Sequence, residues 1–91
     1  MIFLKDQAVL YKKSGLKMSK EIVANIKKAM KKLNMGTEIA VIDSGTAAGM
    51  RIVRKKDIPE IPCLVIGKSY YFKDSLLSYR KLKRVMQKWS R

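Results

Sequence analysis

The pattern of apolar and polar residues along the first half of the chain predicts two strands followed by a helix. Residues 1–4 are an apolar run typical of an edge strand, and residues 8–12 have the pattern of a buried strand ending in a turn at 13–15. Ser19 is the expected N-cap of the helix, which should stop at 34–36. The buried stripe of this helix consists of apolar residues at helical spacing: Ile22, Val23, Ile26, Ala29, Met30 and Leu33.

The second half predicts three more strands and two helices. We expect strands at 38–42, 63–66 and 70–72, a short helix at 47–54, and a tight turn at 67–68. A final helix capped by Asp74 or Ser75 should run to about Trp89. Its expected buried face comprises Tyr79, Leu82, Val85, Met86 and Trp89.

Composition excludes several classes of chemistry. Ninety-one residues, 47% of them apolar, suit one small domain with a real core. The absence of histidine excludes histidine catalysis, and a single cysteine allows neither an internal disulfide nor a cysteine-histidine zinc site, so we expect no metal or cofactor. No apolar run approaches the roughly 20 residues of a membrane span, and the early charges Lys5 and Asp6 do not fit a secretory signal. A cytoplasmic protein is the expectation.

The Ile61-Pro62 step is the most specific local feature. Pro62 has no N–H to give to a sheet, so it should open the strand that follows, and its peptide bond is a candidate for the cis form. With this proline before the third main strand, the element order over residues 8–89 resembles the thioredoxin and glutaredoxin family. The resemblance implies an α/β fold: a single thioredoxin-like domain spanning 1–91, with a mixed sheet of about four strands flanked by helices. It also implies that Pro62 is cis and faces the redox motif.

The resemblance places the two redox cysteine positions of the family at Leu16 and Ser19. Dithiol exchange needs a thiolate at a helix N-terminus and a second, resolving thiol, and neither residue supplies one. We therefore expect no oxidoreductase activity. Cys63 should open a central strand covered on both faces, which favours a core residue, although a lone redox thiol there stays open as an alternative.

Charge is the strongest functional signal in the chain. Twenty-one basic residues against seven acidic ones give a formal net charge of +14, which favours a polyanionic partner. Helical spacing puts most lysines of the first helix on one side, and the resemblance implies that the first and last helices lie side by side. The expected polyanion-binding residues are Lys12, Lys13, Lys17, Lys20, Lys27, Lys28, Lys31, Arg80, Lys81, Arg84 and Lys88.

The sequence thus predicts a non-catalytic module that binds nucleic acid or a ribonucleoprotein. A turn at 14–15, followed by the free N–H groups of a helix start, adds an expected phosphate seat. Tyr79 and Trp89 are expected in the core more than stacked on bases, and only one of Tyr70 and Tyr71 can be exposed, because they point to opposite sheet faces.

Several alternatives remain open at this stage. They are a degenerate thiol protein using Cys63, an interaction module that meets an acidic protein beside Pro62, and a homodimer formed through residues 1–4. The lysines could also form a solvated surface of the kind found in thermophiles, since the chain has only two asparagines and two glutamines, or could lie on an anionic membrane.

Overall fold

The computed structural model describes residues 2–90, which contain four strands and four helices. The strands are β1 (Ala8–Lys12), β2 (Ala40–Asp43), β3 (Cys63–Ile66) and β4 (Ser69–Phe72). The helices are α1 (Lys17–Lys32), α2 (Ala47–Lys55), α3 (Lys73–Leu77) and α4 (Tyr79–Trp89). The predicted α/β class with a mixed four-stranded sheet is confirmed, and the layout is consistent with a thioredoxin-like arrangement.

The four strands form one sheet in the order β2-β1-β3-β4. Strand β1 runs parallel to β2, with Val9 opposite Ala40, and antiparallel to β3, with Leu10 opposite Leu64. Strands β3 and β4 form a hairpin whose turn contains Gly67 at φ +60°, a left-handed conformation that glycine adopts without steric cost. Strands β2 and β4 are therefore the edges of the sheet, and β1 and β3 lie in its centre.

The main core lies between the sheet and helices α1, α3 and α4, and α1 packs directly against both other helices. The predicted apolar stripes of α1 and α4 face this core, as the helical spacing of their apolar residues predicted. Its fully or nearly fully buried side chains include Leu10, Ile22, Leu64, Ile66, Leu76, Leu82 and Met86. Helix α2 contacts the edge strand β2 instead. The residues just after it, Lys56 and Ile58, line a cavity on the other sheet face together with Val9, Tyr11 and Val65.

The predicted single final helix is wrong, because Ser78 divides it into α3 and α4. Ser78 is extended, with ψ 109°, and its hydroxyl accepts a hydrogen bond from the Lys81 N–H at 3.4 Å. The amide nitrogen Nδ2 of Asn25 in α1 donates to the carbonyls of Leu76 and Leu77 at 3.1 and 3.0 Å. A side chain from α1 therefore satisfies carbonyls at the end of α3, and Ser78 starts a new helix.

The predicted edge strand at residues 1–4 is also wrong, and Met1 lies outside the described residues. The Ile2 N–H donates to the Asn34 carbonyl at 2.9 Å, and the Lys5 N–H donates to the Trp89 carbonyl at 2.7 Å. Both edges of β1 are already paired with β2 and β3, so the segment runs across the ends of α1 and α4 instead. It offers no sheet edge for the expected homodimer contact.

Candidate functional site

The loop between β1 and α1 lies beside the Pro62 corner. Tyr11, near the end of β1, is directly opposite Cys63, the residue that follows Pro62. The Ile61-Pro62 peptide bond is cis. Gly15 occupies the loop at φ +90°, which side chains rarely adopt. The chain therefore turns from β1 into α1 next to the proline corner.

Neither expected redox position carries a reactive group. Leu16 immediately precedes α1 and makes no side-chain capping hydrogen bond. Ser19 lies in the first turn rather than at the N-cap, so the capping prediction is wrong. Its hydroxyl is buried and donates to the Lys13 carbonyl at 2.8 Å. That hydroxyl ties the loop to the helix, and α1, whose N-cap is Leu16, begins three residues earlier than the cap pattern indicated.

Cys63 is a buried thiol with no solvent exposure. Burial raises the pKa of this thiol to about 11, against the opposing effect of a hydrogen bond from the Tyr71 backbone, and the charge of Glu60 raises it further. Redox and nucleophilic cysteines need an accessible thiolate, and Cys63 is protonated at neutral pH. The structure therefore gives no support to the thiol-protein alternative.

The expected phosphate seat at the 14–15 turn already holds a carboxylate. Asp43, at the end of β2, accepts hydrogen bonds from the Ser14 hydroxyl, from the Ser14 N–H at 3.1 Å and from the Gly45 N–H at 2.8 Å. These bonds, led by the Ser14 hydroxyl, lower the pKa of Asp43 to about 2, and Lys12 adds a smaller effect. The prediction is therefore wrong at Ser14, because an internal carboxylate uses its donors. Sequence reasoning missed Asp43, although a carboxylate between an apolar strand and a Gly-containing turn was the available signal.

The basic residues of α1 and α4 lie on two adjacent helices. The two helices pack against each other and cover the same face of the sheet. Lys28 Nζ lies 4.6 Å from the centre of the Tyr79 ring, a cation–π contact between α1 and α4. We define the two-helix basic surface as the exposed residues Lys20, Lys27, Lys28 and Lys31 of α1 and Arg80, Lys81, Arg84 and Lys88 of α4.

Three further predicted residues lie at the end of β1, in the loop that follows and at the start of α1. Lys13 and Lys17 are exposed, whereas Lys12 is half-buried and pairs with Asp43 at 3.8 Å. Among residues 2–90 this is the one ion pair within 4 Å. No residue of the two-helix basic surface therefore has a carboxylate within 4 Å in the described chain. Like charges in excess on so small a molecule repel each other, and an external anion would relieve that repulsion.

The aromatic residues of α4 serve packing. The indole N–H of Trp89 donates to the Tyr71 hydroxyl at 2.8 Å, which joins α4 to β4, and Tyr79 is half-buried beneath Lys28. Tyr70 is 46% exposed and Tyr71 is half-buried, so the prediction that one of the two is exposed is confirmed. Tyr70 points to the sheet face opposite α1 and α4, so the two-helix basic surface has no exposed aromatic platform from these four residues.

Other kinds of site find little support in the described residues. No group of three His, Cys, Asp or Glu side chains in residues 2–90 could hold a metal ion. No helix in that part of the chain combines the length and the apolarity needed to cross a membrane. A scan against known protein families found no match, and neither did searches of curated proteins and of solved structures. The two-helix basic surface is therefore the feature from which a function must be argued.

Proposed function

We propose that this protein is a non-enzymatic nucleic-acid-binding protein that contacts phosphates through the two-helix basic surface. The observation that carries the proposal is the packing of α1 against α4 on one face of the sheet, where the two helices carry eight exposed cationic side chains, none of them with a carboxylate within 4 Å in the described chain. The formal net charge of +14 gives the whole molecule the same preference for polyanions.

The chemistry of the surface suits contacts that do not depend on base sequence. Lysine outnumbers arginine by 16 to 5 in this chain. Lysine is a compact point charge that binds phosphate oxygens but does not read bases in the bidentate manner of arginine. On α1, Lys20, Lys27 and Lys31 follow one side of the helix over about 16 Å. Such a row can follow a phosphate backbone, and its binding would be driven by counterion release.

The proposal includes RNA within a ribonucleoprotein as well as free DNA or RNA, because all present the same phosphates. It retains the cytoplasmic setting expected from the sequence. An acidic protein meeting the same charges is a second source of anions.

Salt-dependent binding to generic duplex DNA and duplex RNA tests the proposal directly. Fluorescence anisotropy of labelled oligonucleotides, measured from low to physiological salt, should give an affinity that falls linearly on logarithmic axes. Similar affinities for unrelated base sequences are expected. Absence of binding at low salt, or an affinity that does not change with salt, would refute the proposal.

A matched pair of variants tests which surface of the protein binds nucleic acid. Four exposed residues of the two-helix basic surface are changed to glutamine in one variant: Lys31, Arg80, Arg84 and Lys88. The control changes four exposed basic residues in and just after α2: Arg51, Arg54, Lys55 and Lys56. Both variants have the same net charge. If all four residues of the first variant contact phosphates, its salt slope should become less steep by about 3 to 4, since each contact contributes about 0.9. Equal losses in the two variants would show that overall charge, and not this surface, determines binding.

A further inference from the structure

An apolar groove lies between α1 and the edge strand β2. It encloses about 160 Å³, and its lining is apolar except for Lys27. The apolar lining residues are Leu10, Val23, Ile26, Met30, Ile39 and Val41. Val41 of β2 is 50% exposed, an unusual position for a valine that faces the same side of the sheet as the buried Leu10. The core on this side of the sheet is therefore left partly open at β2.

The edge of β2 itself is also free. In the described chain β2 pairs only with β1, and residues 40–42 make no backbone hydrogen bond outside that pairing. An edge strand presents unpaired N–H and C=O groups in a row, and an extended peptide can add to it as a further strand. The groove would then receive those side chains of the added strand that point toward α1, which are every second residue.

The charge around the groove changes along its length. A wider cavity of about 550 Å³ continues from it toward the start of α1, and Val23 and Lys27 line both. Lys20 and Lys12 line the wider part. Lys12 is already paired with Asp43, so Lys20 and Lys27 are the cations left for a ligand. The groove is thus apolar near Met30 and cationic near Lys20.

We infer that the β2 edge and this groove dock an extended, acidic segment of a partner protein. One apolar side chain of that segment would enter the groove beside Val41 and Met30. The side chain two residues along would be a carboxylate near Lys20 and Lys27, since residues two apart in a strand lie on the same face, about 7 Å apart. This occupant would pair with the free edge of β2, cover the apolar lining of the groove and neutralise the charges of Lys20 and Lys27.

Two other occupants fit less well. A second copy of this chain would also offer a β2 edge, but each copy carries a net charge of +14 and the copies repel each other. Nucleic acid would match the lysines, but it has no backbone amide groups to pair with β2 and no aliphatic side chain to cover Val41. The lysines beside the groove and the unpaired backbone groups of β2 therefore both favour a polypeptide with carboxylates.

The test uses the full chain and short blocked peptides. In the probe peptide every second residue is threonine. The residues between the threonines are isoleucine and glutamate in turn. One control peptide has lysine in place of glutamate, and a second has serine in place of isoleucine. Amide chemical shifts should change at residues 40–42 and at Val23 and Met30 on addition of the probe. Each control peptide should bind at least about tenfold more weakly.

A pair of protein variants tests whether the peptide binds beside Val41. Val41→Glu adds a carboxylate beside the peptide and removes an apolar contact, so the affinity should fall about tenfold or more. Ile52→Glu makes the same kind of change at another exposed aliphatic residue, in α2, and should bind as the unchanged protein does. The shift map of the unchanged protein decides the question even if Val41→Glu fails to fold.

Several results would overturn the inference: shift changes confined to α4, equal binding of the lysine peptide, or self-association through β2 in the absence of peptide. Shifts at 40–42 caused by an oligonucleotide and not by the peptide would also refute it. The inference does not depend on the proposed function. The nucleic-acid test changes Lys31, Arg80, Arg84 and Lys88, none of which lines the groove, so either idea can fail while the other stands.

Discussion

The hydrogen bond between Trp89 and Tyr71 joins α4 to β4, and replacing its acceptor tests this contact between the last helix and the sheet. The indole N–H donates to the Tyr71 hydroxyl at 2.8 Å, and both side chains are half-buried. Tyr71→Phe removes the hydroxyl and keeps the ring. The substitution leaves the Trp89 N–H without its acceptor while the apolar contacts of position 71 remain.

The expected cost follows from the partial burial of the pair. A neutral hydrogen bond contributes about 0.5–1.5 kcal/mol net, and water can replace part of it where the site is only half-buried. We therefore expect the free energy of unfolding to fall by about 1 kcal/mol. For a domain of this size that corresponds to a decrease in Tm of about 4–8 °C.

Trp89 is the only tryptophan in the chain, so its fluorescence reports on α4 directly. Urea unfolding followed at the tryptophan emission should show a lower midpoint with an unchanged slope. Tyr70→Phe is the matched control, because Tyr70 is 46% exposed and its hydroxyl makes no hydrogen bond within residues 2–90. That control should change stability by less than about 0.5 kcal/mol. Equal midpoints for the two variants would refute the reasoning.

Three further predictions concern the β2 turn and the thiol. Gly49→Ala should destabilise the fold by about 2 kcal/mol or more, because an added Cβ would lie 1.7 Å from the Asp43 carbonyl oxygen; thermal melting measures this. Cys63 should resist a thiol reagent until the protein unfolds, and rapid labelling of the folded protein would contradict its burial. The folded pKa of Asp43, about 2, is below its ordinary value of 3.8, so its stabilising effect is present above about pH 4 and is lost as the pH falls toward 2. Asp43→Asn should lack that part of the acid dependence in urea midpoints, and an unchanged dependence would assign it to other carboxylates.

The two proposed binding surfaces adjoin, so binding of one partner should affect binding of the other. Lys20 and Lys27 belong to the two-helix basic surface and also line the groove region beside β2. An acidic peptide in the groove would neutralise part of the charge that attracts nucleic acid. Partners of the two kinds should therefore weaken each other's binding to a similar degree, since coupling between two ligands is reciprocal.

The amino-acid pattern alone was enough to predict most of the secondary structure, whereas the mixed sheet was implied by the family resemblance. The apolar stripe from Ile22 to Leu33 predicted α1, and the Pro62 corner predicted the start of β3, because both signals are local. The positions of the lysines on the outer side of α1 followed from the same helical period. For the candidate site, then, the sequence determined which cationic residues are exposed on each helix.

Tertiary contacts decided the rest. Asn25 ends α3 from a position more than fifty residues away, and Asp43 reaches the Ser14 turn from the adjacent strand, so neither contact leaves a signal in local periodicity. The placement of the basic helices α1 and α4 side by side, and the opening at Val41, depend on which helices pack together and on which strand lies at the edge. Hydrophobic periodicity specifies the face that an element buries, but the choice of neighbour is made by the packing of the whole chain.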